Sequence, residues 1–148
     1  MALIMFNSIL VVCTGNICRS PIGERLLRKY LPSKKIDSAG VGALVDYPAD
    51  ATASEVAEMH GLSLANHKGV QFSAKLARQY DLILVMEMEH LAKVTSISPG
   101  SRGKTMLLGH WIEKREIPDP YKKSFEAFES VYMIIDQACQ RWAEKLSG

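Results

Sequence analysis

Ser8-Ile9-Leu10-Val11-Val12-Cys13-Thr14-Gly15-Asn16-Ile17-Cys18-Arg19-Ser20-Pro21 sets the architecture of this chain. Residues 8–12 are a β-branched apolar run, the pattern of a central parallel strand buried on both faces. The run gives way to Cys-Thr-Gly-Asn and then to Ser20-Pro21, a good N-cap followed by the residue favoured at the first helical position. Ile22, Leu26, Leu27 and Tyr30 continue as a helical apolar stripe that Pro32 closes. A strand, a tight loop and a helix follow one another, and the rest of the chain repeats that alternation.

Residues 35–39 form a short second strand, after which Gly40 and Gly42 open a loop. Thr52 with Glu55 makes a capping-box pattern ahead of Val56 and Met59, and Gly61 falls at the C′ position. Residues 82–86 (LILVM) are a second continuous apolar strand, followed by a short helix around 87–95. Residues 105–108 are a weaker fourth strand. From Ser124, the residues Phe125, Phe128, Val131, Tyr132, Ile135, Cys139, Trp142 and Leu146 keep helical spacing. Apolar runs alternating with amphipathic helices predict an α/β fold, a mostly parallel sheet with helices on both faces. No repeat, low-complexity tract or linker interrupts the series, so residues 1–148 read as a single domain. In such folds ligands bind at the carboxyl ends of the strands, near a switch in strand order. Residues 13–19 occupy that position.

Composition narrows the function classes without naming one. The 148 residues are 47% hydrophobic and 23% charged, which excludes disorder. A net charge of +2 is too small to argue for a nucleic-acid or membrane partner. Three cysteines make an odd count in a chain long enough to build a core, so a disulfide scaffold is not expected and a cytoplasmic setting is. Residues 1–12 are apolar, but they lack a basic n-region and a small-residue cleavage site, and Asn7 and Ser8 interrupt them. They are too few to span a bilayer and read as a buried strand with a ragged start.

The loop after the first strand can both hold an anion and activate a nucleophile. Gly15 and Asn16 tolerate positive φ, so successive N–H groups around them can curl into an anion-binding nest. The helix that follows adds unpaired N–H donors and the positive end of its dipole. Arg19 offers a planar fork matched to two phosphate oxygens. Cys13 faces that positive field from the strand end, so the donors that bind an anion also favour its thiolate. A hydrogen bond from Ser20 would stabilise the sulfur further. Cys13 alone would read as a small buried hydrophobe; with Gly, Asn, Arg, Ser and Pro in register it reads as a nucleophile. No Gly-Lys-[Ser/Thr] follows and no G-x-G-x-x-G is present, which excludes the nucleotide-binding loops.

At Cys13 through Ser20 the sequence resembles the low-molecular-weight protein tyrosine phosphatases, whose signature is a strand followed by C-x5-R-S with Gly-Asn inside. The resemblance runs along essentially the whole chain. It is closest to the bacterial branch tied to capsule and exopolysaccharide production, through SAG at 38–40, YDLILVME at 80–87 and GHW…IPDPYKKS across 109–124. It implies a four-stranded parallel sheet in three layers, flavodoxin-like, and a phosphocysteine mechanism with no metal or other cofactor.

The resemblance also assigns roles. Thr14, Gly15, Asn16, Ile17, Cys18 and Ser20 line the phosphate-binding loop around Cys13 and Arg19. Asp119, in Ile117-Pro118-Asp119-Pro120-Tyr121, matches the general acid that protonates the leaving tyrosine and then activates water. Alone, Pro-Asp-Pro would read as a turn, although its two prolines stiffen whatever it carries. Tyr121 either flanks the pocket mouth and stacks on the substrate ring or is an ordinary half-buried tyrosine. Leu44 and Tyr47 match the loop that shapes specificity; many eukaryotic members carry an aromatic residue at Leu44, so an open rim is expected here. Ser38 and His67 match positions that brace the loop together with Asn16 and Ser20. His67 alone would read as a solvent-facing loop histidine. Gly69-Val70 stands where relatives often have Ala-Arg, which removes a salt bridge from that brace. Cys18 is either a reversible disulfide partner of Cys13 or packing beneath the loop, and Cys139 belongs to the core.

Two other functions remain in view. An arsenate reductase shares the fold and the anion loop, but it needs further cysteines, and none lies between Cys18 and Cys139. A non-catalytic anion-binding module needs neither the thiol nor Asp119. His60, His67, His90 and His110 show no metal-ligand spacing. The expected protein is a cytoplasmic, monomeric tyrosine phosphatase. Its expected substrate is an autophosphorylated, membrane-anchored bacterial tyrosine kinase that controls polysaccharide synthesis or export.

Overall fold

The apolar run at residues 8–12 becomes β1 (Ser8–Cys13), buried from its second residue onward. In this computed structural model, which describes residues 6–147, β1 has a parallel neighbour on each side, as its two-sided burial requires. Residues 1–5, the expected ragged start of the strand, lie outside the described residues. After β1 come α1 (Arg19–Tyr30), β2 (Lys35–Gly40), α2 (Ala51–Met59), α3 (Ala74–Ala77) and β3 (Leu82–Val85). Then follow α4 (Met88–Ile97), a 3-10 segment (Pro99–Lys104), β4 (Thr105–Leu107) and the long α5 (Phe125–Leu146).

The four strands are all parallel, in the order β2-β1-β3-β4. The chain moves from β1 outward to β2, then crosses back to β3 on the other side. That reversal opens a crevice beyond Cys13, at the carboxyl end of β1. One core joins Ile9, Val11, Ile36, Leu82 and Leu84 to α1, α2 and α5 through Leu26, Leu27, Val56, Ile135 and Trp142. The opposite face packs Leu10, Val12, Ile83 and Val85 against Phe72, Ala77, Tyr80 and Val94. The result is the three-layer α/β architecture that the alternation predicts.

The element ends differ from expectation in ways that matter at the site. Ser20 is not the N-cap of α1. The helix begins at Arg19 with Cys18 at the cap and no side-chain cap bond, because the Ser20 hydroxyl is occupied by Cys13 Sγ and Asn16 Nδ2. Thr52 and Glu55 do not cap α2 either. Asp50, at the true cap position, accepts from the N–H groups of Thr52 and Ala53, and a carboxylate is the stronger acceptor for a helix end. A capping box does form at α4, between Glu87 and His90, where the sequence pattern is not the usual Ser/Thr with Glu. Gly61 sits at positive φ just after α2, as expected, and Ser124, where the helical spacing begins, caps α5. The four-residue α3 and the 3-10 segment are too short to leave a periodic signal.

Candidate active site

β1 delivers Cys13 to the crevice, and the next five residues turn around its sulfur. Asn16 adopts φ 59°, the left-handed conformation its side chain suits. The carbonyls of this loop point away from the crevice: Cys13 O accepts from Val41, Thr14 O from Gly42 and Gly15 O from Leu44, at 3.0, 2.9 and 3.0 Å. Gly40 is necessary for this arrangement, since a Cβ there would stand 2.4 Å from Thr14 O. With the carbonyls satisfied, the N–H groups of Gly15, Asn16, Ile17 and Cys18, residues of the loop around the cleft, have no acceptor among the described residues. That is an anion nest at the start of a helix.

A buried relay fixes the polarity of the sulfur's surroundings. Glu24, held by Arg25 at 2.8 Å and Arg28 at 3.4 Å, accepts the Ser38 hydroxyl at 2.7 Å. Ser38 Oγ accepts from Asn16 Nδ2 at 3.0 Å, and the same amide donates to Ser20 Oγ at 2.7 Å. Asn16 Oδ1 accepts the Val70 N–H at 2.9 Å, so the amide cannot be turned around. Ser20, accepting from that amide, keeps its own hydrogen, and its Oγ lies 2.9 Å from Cys13 Sγ, where a thiolate can only accept it. Each link as far as Ser20 has a fixed direction, and a Cys13 thiolate ends the relay as the acceptor of the Ser20 hydrogen. His67 completes the brace from outside. It is buried, and its Nε2 donates to Asn16 O at 2.6 Å. Burial holds its pKa below the ordinary histidine value, against the opposing pull of that hydrogen bond.

Arg19 is only 2% exposed. Its Nη1 is claimed by the Glu87 carboxylate and by Ile117 O at 2.7 Å. The side-on edge formed by Nε and Nη2 is left toward the crevice, where Nη2 lies 3.4 Å from Thr14 Oγ1 and 3.7 Å from Asp119 Oδ2. Asp119 stands at the mouth, 48% exposed, with Oδ1 held by the Tyr121 N–H at 3.0 Å. Its loop is tied to the sheet by the Ile117 N–H on Met86 O at 2.9 Å. Cys13, Arg19, Asp119, Leu44 and Tyr121 line one cleft of about 190 Å³ with Thr14, Gly15, Ile17, Cys18 and Gly42.

Tyr47, expected at the specificity rim, is 57% exposed and does not line the cleft; its carbonyl accepts the Gly69 N–H. The brace lacks an arginine at position 70, yet the Val70 main chain makes the bond to Asn16 itself. Cys13, Cys18 and Cys139 are all free thiols, and burial pushes Cys18 well above the ordinary thiol range. Cys139 is fully buried against Gly23 O. Sequence reasoning missed Glu24, Glu87 and His90. Each is an ordinary helix-surface type in the sequence, and only the Glu-x-x-His spacing at 87–90 offered any signal. Among the described residues, no three His, Cys, Asp or Glu side chains gather as a metal-ligand set.

The family model described as low molecular weight phosphotyrosine protein phosphatase matches residues 8–148. The low molecular weight protein-tyrosine-phosphatase Etp of Escherichia coli is 64% identical over 147 residues, which cover 99% of each chain. The crystal structure of the tyrosine phosphatase Wzb from Escherichia coli in complex with sulphate matches with TM-score 0.95 and 66% identity, over 96% of this chain and 99% of that one. Vibrio vulnificus Wzb in complex with benzylphosphonate matches with TM-score 0.94 and 54% identity, over 95% and 99%.

Proposed function

The chain belongs to the low molecular weight protein-tyrosine-phosphatase family, and on that premise we propose that it hydrolyses phosphotyrosine in proteins through a phosphocysteine intermediate on Cys13. The observation that carries this reading is that Cys13, the loop whose N–H groups have no acceptor among the described residues, Arg19 and Asp119 line one cleft. The Cys13 thiolate attacks phosphorus, forming a P–S bond as the bond to the tyrosyl oxygen breaks. Asp119 gives its proton to that oxygen. The resulting carboxylate then takes a proton from water, whose oxygen attacks phosphorus and releases inorganic phosphate and the thiolate. Arg19 and the loop N–H groups hold the three equatorial oxygens throughout, where charge is greatest in the transition state. Tyr121 and Leu44 flank the tyrosyl ring at the rim.

The substrate we propose is the phosphorylated tail of a membrane-anchored bacterial tyrosine kinase in capsule or exopolysaccharide production. The relatives named Wzb and AmsI and the resemblance to that branch support it. The enzyme would meet that tail as a monomer in the cytoplasm; among the described residues no helix is long and apolar enough to cross a membrane.

Wild type, Cys13→Ser and Asp119→Asn are compared on p-nitrophenyl phosphate and on a phosphotyrosine peptide. Cys13→Ser is expected to abolish turnover and Asp119→Asn to lower it by about a hundredfold or more, the usual worth of a general acid. Unchanged turnover in Cys13→Ser would refute the mechanism, and phosphoserine cleaved equally well would refute the substrate class. For Cys18, mass spectrometry after peroxide separates the two roles: a Cys13–Cys18 disulfide marks a redox guard, and a lasting sulfonic acid at Cys13 marks simple packing.

A further inference from the structure

Thr14 follows the nucleophile directly and is one of the residues that line the cleft. Among the described residues its hydroxyl has two hydrogen-bonding neighbours. Nε2 of His90, on α4, is 2.9 Å from Oγ1, and Nη2 of Arg19 is 3.4 Å away. His90 is 2% exposed, and its Nδ1 accepts the backbone N–H of Glu87 at 3.2 Å. A neutral imidazole that accepts at Nδ1 carries its proton at Nε2. His90 therefore donates to Thr14, and a guanidinium can only donate. Both neighbours use the lone pairs of Oγ1 and neither uses its hydrogen. That hydrogen is left for an acceptor in the cleft, and a phosphoryl oxygen is one.

We propose that His90 is a positioning residue that, through its Nε2–H, fixes the Thr14 hydroxyl as a hydrogen-bond donor to the phosphoryl group in the cleft. This role rests on the phosphatase reading above. Free to rotate, a threonine hydroxyl can present either a lone pair or a hydrogen to its surroundings. Pinned by a buried donor, it presents only the hydrogen, and no reorientation is left to be done when the anion arrives. The same turn of α4 places Glu87 on Arg19. One helix terminus thus orients two of the phosphate donors, the guanidinium through a carboxylate and the hydroxyl through an imidazole.

Two near-isosteric substitutions separate this role from capping of α4. In His90→Asn the amide takes the place of Nδ1 and keeps the cap, but nothing reaches Thr14. In His90→Gln the amide takes the place of Nε2 and can still donate to Thr14, while the cap is lost. Each variant is assayed for kcat/KM on p-nitrophenyl phosphate, for the inhibition constant of inorganic phosphate, and for Tm, alone and combined with Thr14→Val. His90→Asn and Thr14→Val are each expected to lower kcat/KM and to raise the phosphate inhibition constant about tenfold, the worth of a hydrogen bond to a charged group. His90→Gln should recover most of that loss despite a lower Tm, and His90→Asn should cost nothing further in the Thr14→Val background. Activity that follows Tm instead, with Gln the worse of the two, would overturn the proposal. So would a His90→Asn penalty that persists without the threonine hydroxyl. Turnover that survives Cys13→Ser would overturn the phosphatase mechanism itself, whatever the His90 variants show.

Discussion

Replacing Asn16 cuts three hydrogen bonds that hold the phosphate loop in its curl: the amide's bonds to Ser20 and Ser38, and the Val70 N–H on its carbonyl. At about 1 kcal/mol net for each bond, Asn16→Gly should lose about 3 kcal/mol. Asn16→Ala loses the same bonds and must also hold a φ of 59°, which adds about 1 kcal/mol for a side chain without a local hydrogen bond. Glycine adds entropy to the unfolded chain, but an alanine forced to positive φ remains the worse of the two. Against a total stability of roughly 5–15 kcal/mol, both are large losses. With a urea slope of about 2 kcal/mol/M, the unfolding midpoint should fall by about 1.5 M for Gly and about 2 M for Ala. Without the amide, Ser20 Oγ loses the partner that holds it beside Cys13 Sγ, and its hydrogen bond to the thiolate weakens. Both folded variants should therefore lose about tenfold or more in kcat/KM in the absence of urea. Equilibrium unfolding followed by tryptophan fluorescence, with steady-state kinetics on the same preparations, reads both effects. Midpoints within about 0.3 M of wild type would refute the account of how the loop is held, and full activity in a destabilised Asn16→Gly would refute the relay to the sulfur.

Gly69→Ala should cost about 2 kcal/mol and lower Tm by about 4–8 °C in a thermal scan, since a Cβ would stand 2.1 Å from Leu44 O and break the two backbone bonds that tie Gly69 to Asp46 and Tyr47. Glu87→Gln should raise KM for p-nitrophenyl phosphate about tenfold and destabilise by about 3 kcal/mol in urea titration, because it leaves the buried Arg19 guanidinium without its carboxylate. Burial lowers the pKa of His67 and of His90, where Arg19 adds to the effect and Glu87, Glu89 and Asp119 oppose it. Below about pH 6.5 the unfolded chain takes up protons that the folded one refuses, so this stability is complete above that pH and is lost as pH falls through the lower folded values. Urea midpoints measured from pH 7.5 down to 5 should fall, and they should fall less steeply in His67→Gln. Leu44→Trp should raise kcat/KM on the bulkier aryl phosphates, and equal values across an aryl series would show that position 44 does not form the specificity rim.

Much of the scaffold is legible because its signals are local. Burial on both faces writes residues 8–12 and 82–86 as continuous apolar runs, and α5 carries its apolar stripe as far as Leu146. The errors arise where two local signals compete. Ser20 looks like a cap because serine usually is one, but a serine whose hydroxyl is needed by a sulfur seven residues earlier cannot also close a helix. Thr52 loses to Asp50 because the cap is decided by which side chain reaches the free N–H groups, and the charged acceptor stands ahead of it at the helix start.

Order along the chain is enough to specify the chemistry that one strand, one loop and one helix start can hold: a thiol, a glycine, an asparagine, an arginine and a serine within a few residues of each other. Their mutual distances are limited by the backbone that joins them, so their spacing carries their function. The groups that orient them come from packing. Glu87 reaches Arg19 across 68 positions and His90 reaches Thr14 across 76, while His67 reaches Asn16 across 51. These partners are brought together by the reversal of strand order around β1, and covalent spacing places no limit on such contacts. A glutamate or histidine on a helix reads the same whether it faces water or a buried guanidinium, and only the packed sheet distinguishes the two.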